Sequence, residues 1–168
     1  MAKAEILVPF ILRWEGGFSD DPDDRGGATN KGVTLATFRH FYGSDSSVEQ
    51  LRNMTYRQWF HIFKTGYWNR WRGDEIESQP LANLLVDWVW ASGVHGIRLP
   101  QRILGVKDDG LVGPQTLRAL NGRAPEALFR ELQAARIAFV EGIARRTPSQ
   151  KKFLNGWKNR IAALPFGE

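Results

Sequence analysis

The sequence predicts an all-α protein with at most a small hairpin in the loop between residues 18 and 33. Apolar residues recur at helical spacing in most segments, and capping residues, glycines and prolines mark where those segments begin and end. No run of residues alternates convincingly between apolar and polar with a period of two, so long strands are not predicted. There are also no internal repeats, which excludes a solenoid.

The first predicted helix has one apolar face, with residues spaced i, i+3, i+4 and i+7: Leu7, Phe10, Ile11 and Trp14. The pair Gly16 and Gly17 is expected to end this helix. Glu15 therefore lies in the last turn, where the partial negative charge of the helix disfavours an ionised carboxylate. A carboxyl group that stays protonated is suited to general acid catalysis, although the basic side chains nearby act in the opposite direction.

The acidic and glycine-rich residues 18–33 are predicted to form a loop. Thr34 is a suitable N-cap for a helix that Gly43 ends. Two capping-box patterns, Ser47 with Gln50 and Thr55 with Gln58, predict two more helices.

The polar segment 73–80 is the best candidate for a boundary between two parts, 1–79 and 80–168, packed into one globular unit. Pro80 begins a strongly apolar helix that Gly93 ends. Further helices are predicted near 99–104, at 114–120, from Pro125 to before Pro148, and around 153–161.

The composition narrows the classes of function. The chain of 168 residues has a formal charge of +5, which suits an anionic polymer such as a cell wall or a nucleic acid. The absence of cysteine excludes disulfides and thiolate metal sites, and the three histidines show no metal-binding spacing, so neither a metal nor a cofactor is implied. The apolar run 6–12 is too short to span a membrane and no cleavage site follows it, so we expect synthesis in the cytoplasm without a conventional signal peptide.

Two chemistries can be excluded for the loop that follows Glu15. A calcium loop starting at Asp21 would place Arg25 at a ligand position and Gly32 where an acidic ligand is needed. A phosphate-binding loop would need lysine where Val33 stands, and would follow a strand rather than a helix.

A pair of carboxylates fits better, because glycoside hydrolysis needs one protonated acid and a second carboxylate that activates water or attacks the sugar. Glu15 and Asp24 lie nine residues apart, and the polar side chains of Thr29, Asn30 and Thr34 could hold water or sugar hydroxyls. On spacing alone, a glutamate at a helix end and an acidic run are more often solvated surface than a catalytic site.

The residues of this region carry a resemblance to a known family. Residues 14–18 (WEGGF) and 21–34 (DPDDRGGATNKGVT) closely resemble the opening of glycoside hydrolase family 108. Its members are lysozyme-like N-acetylmuramidases, some described as secretion activators and some encoded by phages as endolysins. The catalytic glutamate of the family precedes two glycines and corresponds to Glu15. The order Glu, Asp, Thr resembles that of phage-type lysozymes and makes Asp24 the first candidate for the second carboxylate, with Asp20, Asp21 and Asp23 as alternatives.

The resemblance continues through Tyr67, Trp68 and Asp74, and through 87–117, which contains the turn DGLVGPQT. That turn resembles the predicted peptidoglycan-binding segment of the family, so 1–79 is expected to be the catalytic, lysozyme-like part and 80–168 a helical part that resembles a peptidoglycan-binding segment. The turn itself is expected to be a structural lobe rather than an independent wall-binding module. The chain departs from the family pattern at 89–92 (VWAS), where a small residue and asparagine are expected before Gly93.

The resemblance implies a lysozyme-like helical fold that hydrolyses the β-1,4 bond between N-acetylmuramic acid and N-acetylglucosamine. It implies that Glu15 protonates the glycosidic oxygen, Asp24 stabilises the transition state or positions water, and Tyr67 and Trp68 line the glycan cleft. Thr29, Asn30 and Thr34 would orient groups around it.

The expected partner is the glycan strand of peptidoglycan. A holin, cell lysis or an export route would give access to the wall, and we expect a monomer. One alternative is a non-catalytic wall-binding or secretion-accessory protein on the same scaffold. A nucleic-acid binder has only the net charge in its favour. The basic residues near the C-terminus, from Arg145 to Arg160, are expected to form a solvated face.

Overall fold

The computed structural model describes residues 1–22 and 26–167, and within them it contains nine α-helices and one two-stranded hairpin. The helices are α1 (Ala4–Trp14), α2 (Leu35–Tyr42), α3 (Val48–Arg52), α4 (Tyr56–Gly66), α5 (Gln79–Ser92), α6 (His95–Leu104), α7 (Pro114–Asn121), α8 (Pro125–Arg146) and α9 (Leu154–Ala163). The strands are β1 (Thr29–Asn30) and β2 (Val33–Thr34). The prediction of an all-α protein with one small hairpin is confirmed. In the described part of the chain, no helix is both long enough and apolar enough to cross a bilayer.

The chain forms two compact units: residues Ala4–Tyr67 make the first, and Met1–Lys3 together with the chain from Trp68 onward make the second. The division into 1–79 and 80–168 that the sequence indicated stays a prediction.

The first unit contains α1 to α4 and the hairpin. Its core is made of apolar side chains with 2% exposure or less, among them Leu7, Ile11, Phe38, Trp59 and Phe63. Both predicted capping boxes are present, and each satisfies backbone N–H groups that would otherwise lack an acceptor at a helix start. A cap of this kind stabilises a helix by about 1 kcal/mol.

In the second unit, α5 packs against α6 and α8. The approach of α5 and α6 is close, because a Cβ atom added at Gly96 would lie 2.6 Å from the backbone nitrogen of Val89. The carboxylate of Asp87 is fully buried and accepts hydrogen bonds from Arg136 Nη1 at 2.8 Å and from Arg160 Nη2 at 2.7 Å. This ionic cluster ties α5 to α8 and α9. Arg160 is therefore not on the solvated basic face that the sequence predicted.

The turn between α6 and α7 is held by one buried side chain, Gln101, which is 0% exposed. Its amide nitrogen donates to the carbonyl of Leu111 at 3.0 Å and to the hydroxyl of Thr116 at 3.2 Å. Its amide oxygen accepts from the N–H of Gly110 at 2.9 Å. We call residues 109–116 the Gln101 turn. Because Gln101 forms these three hydrogen bonds with it, the turn is held in place within the second unit.

Candidate active site

Glu15 is the first residue beyond α1, and its N–H still donates to the carbonyl of Ile11 at 3.0 Å. The residue is half-buried. On the preceding turn of the helix, the rings of Phe10 and Trp14 lie with their centroids 6.3 Å apart. The predicted position of Glu15 at the end of the first helix is confirmed.

The way in which this helix ends differs from the prediction. Neither Gly16 nor Gly17 has a positive φ, so α1 does not use the left-handed glycine that commonly ends helices. Instead the chain bends at Glu15 and Gly17 after the helix, and Ser19 exchanges two backbone hydrogen bonds of 2.8 Å with Thr29. We call residues 15–19 the Glu15 segment. Its two ends are fixed by α1 and by the hairpin.

The hairpin turn has the conformation that two-residue connections favour. Lys31 and Gly32 both have positive φ, at 49° and 82°, and they join two strands in which Thr29 pairs with Thr34. The indole N–H of Trp59, which is 1% exposed, donates to the carbonyl of Lys31 at 3.0 Å. Trp59 thus belongs to the core of the first unit, and it also supports the turn. Sequence reasoning did not identify this second role.

Asn30 joins the hairpin to the end of α3. The residue is 5% exposed, and its amide nitrogen donates to the carbonyls of Leu51 at 2.9 Å and Arg52 at 3.2 Å. The guanidinium of Arg52 lies 4.2 Å from the centre of the Phe18 ring, which gives a cation–π contact with the Glu15 segment. Asn30 and Arg52 therefore position the loop. The contribution of Arg52 had no signal in the sequence.

The threonines of the hairpin are half-buried, and one of them caps a helix as predicted. The hydroxyl of Thr34 accepts from the N–H of Thr37 at 3.1 Å and donates to its hydroxyl at 3.0 Å. Contacts of Thr29 and Thr34 with substrate stay predictions. The candidate partner Asp24 lies outside the described residues, and so does Asp23. Asp20 and Asp21 are exposed.

The two aromatic residues predicted to line a glycan cleft have different environments. Tyr67 follows α4 in the first unit and is half-buried, so its role as a sugar contact stays a prediction. Trp68, in the second unit, is 0% exposed, and its indole N–H donates to the carboxylate of Asp74 at 2.9 Å. A Cβ atom added at residue 73 would lie 2.2 Å from the indole ring of Trp68. Glycine is therefore required at this position for the backbone to pack on the ring. Trp68 is a core residue and offers no ring face to a sugar.

Among the described residues, no group of three or more histidine or acidic side chains is placed to hold a metal ion. The described site presents a half-buried glutamate, Glu15, on a segment that the hairpin fixes at its other end.

Comparison with known proteins identifies the relatives of this fold. Residues 95–162 match the family model described as a predicted peptidoglycan domain. A solved structure, that of SagA from Brucella abortus, is 30% identical with a TM-score of 0.83, and the match covers 95% of this chain and 90% of that chain. No curated protein matches the chain. Residues 8–93, which are 86 of the 168, match the model for glycosyl hydrolase 108. The chain therefore belongs to the glycosyl hydrolase 108 family.

Proposed function

We propose that the chain is a peptidoglycan hydrolase, an N-acetylmuramidase that cleaves the β-1,4 bond between N-acetylmuramic acid and N-acetylglucosamine. Membership of a glycosyl hydrolase family supports the reaction class, and the adjoining predicted peptidoglycan domain supports the substrate. The observation that carries the proposal is the match itself, which spans the Glu15 segment and the hairpin.

In the proposed mechanism, Glu15 donates its proton to the glycosidic oxygen as the bond to the anomeric carbon breaks. The position of Glu15 at the end of α1, inside the segment that matches the family model, supports this role. A second carboxylate, for which Asp24 is the first candidate, stabilises the positive charge on the sugar or directs water. The separation of the two carboxylates decides between retention and inversion.

The test is clearing of purified peptidoglycan by the wild-type protein and by Glu15→Gln. This substitution keeps the shape of the side chain and removes the proton, so we expect the rate to fall by about 10²–10⁴-fold, the usual contribution of a general acid. Glu5→Gln, an exposed position in the first turn of the same helix, is the matched control and should keep full activity. Equal clearing by Glu15→Gln and wild type would refute the role of Glu15.

Mass spectrometry of the released fragments tests the bond that is cleaved. A muramidase leaves N-acetylmuramic acid at the reducing end of each product. Products ending in N-acetylglucosamine would contradict the proposed specificity.

A second candidate is a non-catalytic wall-binding or secretion-accessory protein, favoured by the match of 95–162 to the predicted peptidoglycan domain. It predicts that the wild-type protein sediments with peptidoglycan but releases no fragments. Our proposal places the site of action at the cell wall, reached through a holin, lysis or an export route.

A further inference from the structure

The first unit contains an open groove of about 700 Å³ between α2, α3 and the start of α4. This volume is in the range of small-molecule sites. Phe38 and Ser46, which are 2% and 4% exposed, lie at its floor. Tyr42, Gln50 and Gln58 form its walls. The groove thus combines a small apolar floor with polar walls.

Ser46 is the most informative of these residues. Its backbone is fully used, since its N–H donates to the carbonyl of Gly43 at 3.1 Å and its carbonyl accepts from Arg39 Nε at 2.8 Å. Its hydroxyl has no hydrogen-bond partner in residues 1–22 and 26–167. The hydroxyl faces the open groove, where water or a polar group of a bound molecule can form a hydrogen bond with it.

The two glutamines are held in fixed positions by the capping boxes. The amide oxygen of Gln50 accepts from the N–H of Ser47 at 2.7 Å, and that of Gln58 accepts from the N–H of Thr55 at 3.0 Å. Each oxygen is therefore occupied, while neither amide nitrogen has an acceptor within the described part of the chain. Two NH₂ donors are thus pre-organised along one groove, which lowers the entropy lost on binding a ligand.

The groove also carries little charge that an ionic ligand could use. Glu49 lies 3.3 Å from Arg52 Nε, and its carboxylate also accepts from the amide of Asn53 at 3.3 Å. Burial raises the pKa of the Tyr42 phenol above its ordinary value, so the phenol stays neutral at physiological pH. These properties favour a neutral ligand rich in hydroxyl and carbonyl groups.

We propose that this groove is an accessory carbohydrate site that binds an N-acetylated hexopyranose of a glycan chain. The amide nitrogens of Gln50 and Gln58 donate to the acetamide carbonyl and ring hydroxyls, and Ser46 bonds a hydroxyl at the floor. The exposed part of the Tyr42 ring packs on the apolar face of the sugar. Binding here needs no acid pair, so it is separate from the hydrolysis proposed for Glu15. The site would hold a glycan strand to the same unit that carries Glu15.

The test is a titration of the full ¹⁵N-labelled chain with tri-N-acetylchitotriose, carried out with both wild type and Glu15→Gln. We expect chemical-shift changes at the groove amides in both proteins. Cellotriose, which lacks the acetamide, should bind about tenfold more weakly, as the loss of one hydrogen bond predicts. Absence of groove shifts with either sugar would overturn the proposal, whatever the activity of the protein.

The variants Gln50→Glu and Gln58→Glu sharpen the test, because glutamate keeps the oxygen that closes the capping box and replaces the NH₂ donor with a charged acceptor. Each should keep the thermal midpoint and weaken sugar binding by about tenfold. Ser46→Ala should weaken it to a similar extent, whereas Ser44→Ala, at an exposed position outside the groove, should have no effect. Unchanged affinity in all three groove variants would show that the sugar binds elsewhere and would overturn the proposal.

Discussion

The Glu15 segment and the Gln101 turn both contain glycine, but the described structure requires glycine only in the turn. A Cβ atom added at Gly110 would lie 2.7 Å from Val94 Cγ2, and the φ of that glycine is +75°. A Cβ atom added at Gly16 or Gly17 would meet no heavy atom of the described residues within 4 Å, and neither residue has a positive φ. The fold itself explains the first glycine and leaves the other two unexplained. If the chain acts as proposed, a sugar beside Glu15 would use the space at Gly16 and Gly17, and the variants below test this expectation.

The largest effect is expected from Gly16→Ala and Gly17→Ala. A methyl group would displace the sugar from the reacting carboxyl group, and a misplacement of about 1 Å costs about 10²-fold in rate. The urea midpoint should stay close to that of the wild type. Wall-clearing rates and urea unfolding measure the two quantities on the same samples.

Gly156→Ala is the control, since Gly156 lies in α9 and a Cβ atom there also meets nothing within 4 Å. Activity should be unchanged in this variant. Full activity in the Gly16 and Gly17 variants would show that the glycines of the Glu15 segment are not needed for activity.

The opposite result is expected at Gly110, where alanine should lower stability without changing activity per folded molecule. We expect a loss of about 2 kcal/mol, of which about 1 kcal/mol comes from the left-handed backbone and the rest from the contact with Val94. Gly105→Ala separates the backbone contribution from the steric one, because the φ of Gly105 is +72° but a Cβ atom added there would have no neighbour within 4 Å. Equal losses of unfolding free energy at both positions would show that crowding at Gly110 has no effect.

The smallest effect concerns acid stability of the Gln101 turn. The N–H of Leu111 donates to the carboxylate of Asp109, and this lowers the pKa of that group below its ordinary 3.8 in spite of some desolvation. The stabilisation is therefore fully present above about pH 4 and is lost as the pH falls through the lowered pKa.

Thermal midpoints measured between about pH 2 and 5 should fall less steeply for Asp109→Asn than for wild type. The ion pair with Arg102 also lowers the pKa of Asp108. In the double variant Asp108→Asn/Asp109→Asn, the thermal midpoint should therefore depend on pH even less. An unchanged slope in both variants would mean that these carboxylates do not couple to unfolding.

The parts of the fold that could be predicted are those that depend on residues close together in the sequence. The capping boxes at Ser47 and Thr55 need only partners three positions away, and both formed as expected. The position of Glu15 beyond α1 followed from the apolar spacing of the helix before it.

Features that depend on distant residues could not be predicted in the same way. Trp68 follows a helix end among polar residues, and its burial results from Gly73 folding under the ring. The pairs that Asp87 forms with Arg136 and Arg160 bridge 49 and 73 positions of sequence, a separation over which no local pattern operates. The amide of Asn30 reaches a carbonyl 21 residues away, so its supporting role in the loop was likewise invisible in the sequence.

The first three residues have a consequence for dissecting the protein. The N–H of Ala2 donates to the carbonyl of Ile76 at 2.8 Å, and Lys3 exchanges two hydrogen bonds with the side chain of Gln79. Because these residues belong to the second unit, the first unit is an insertion between positions 3 and 68, and no single cut separates the two. A fragment beginning at residue 68 would lack the segment that covers Ile76 and Gln79. A protein made of the second unit alone should instead join residue 3 to residue 68 through a linker.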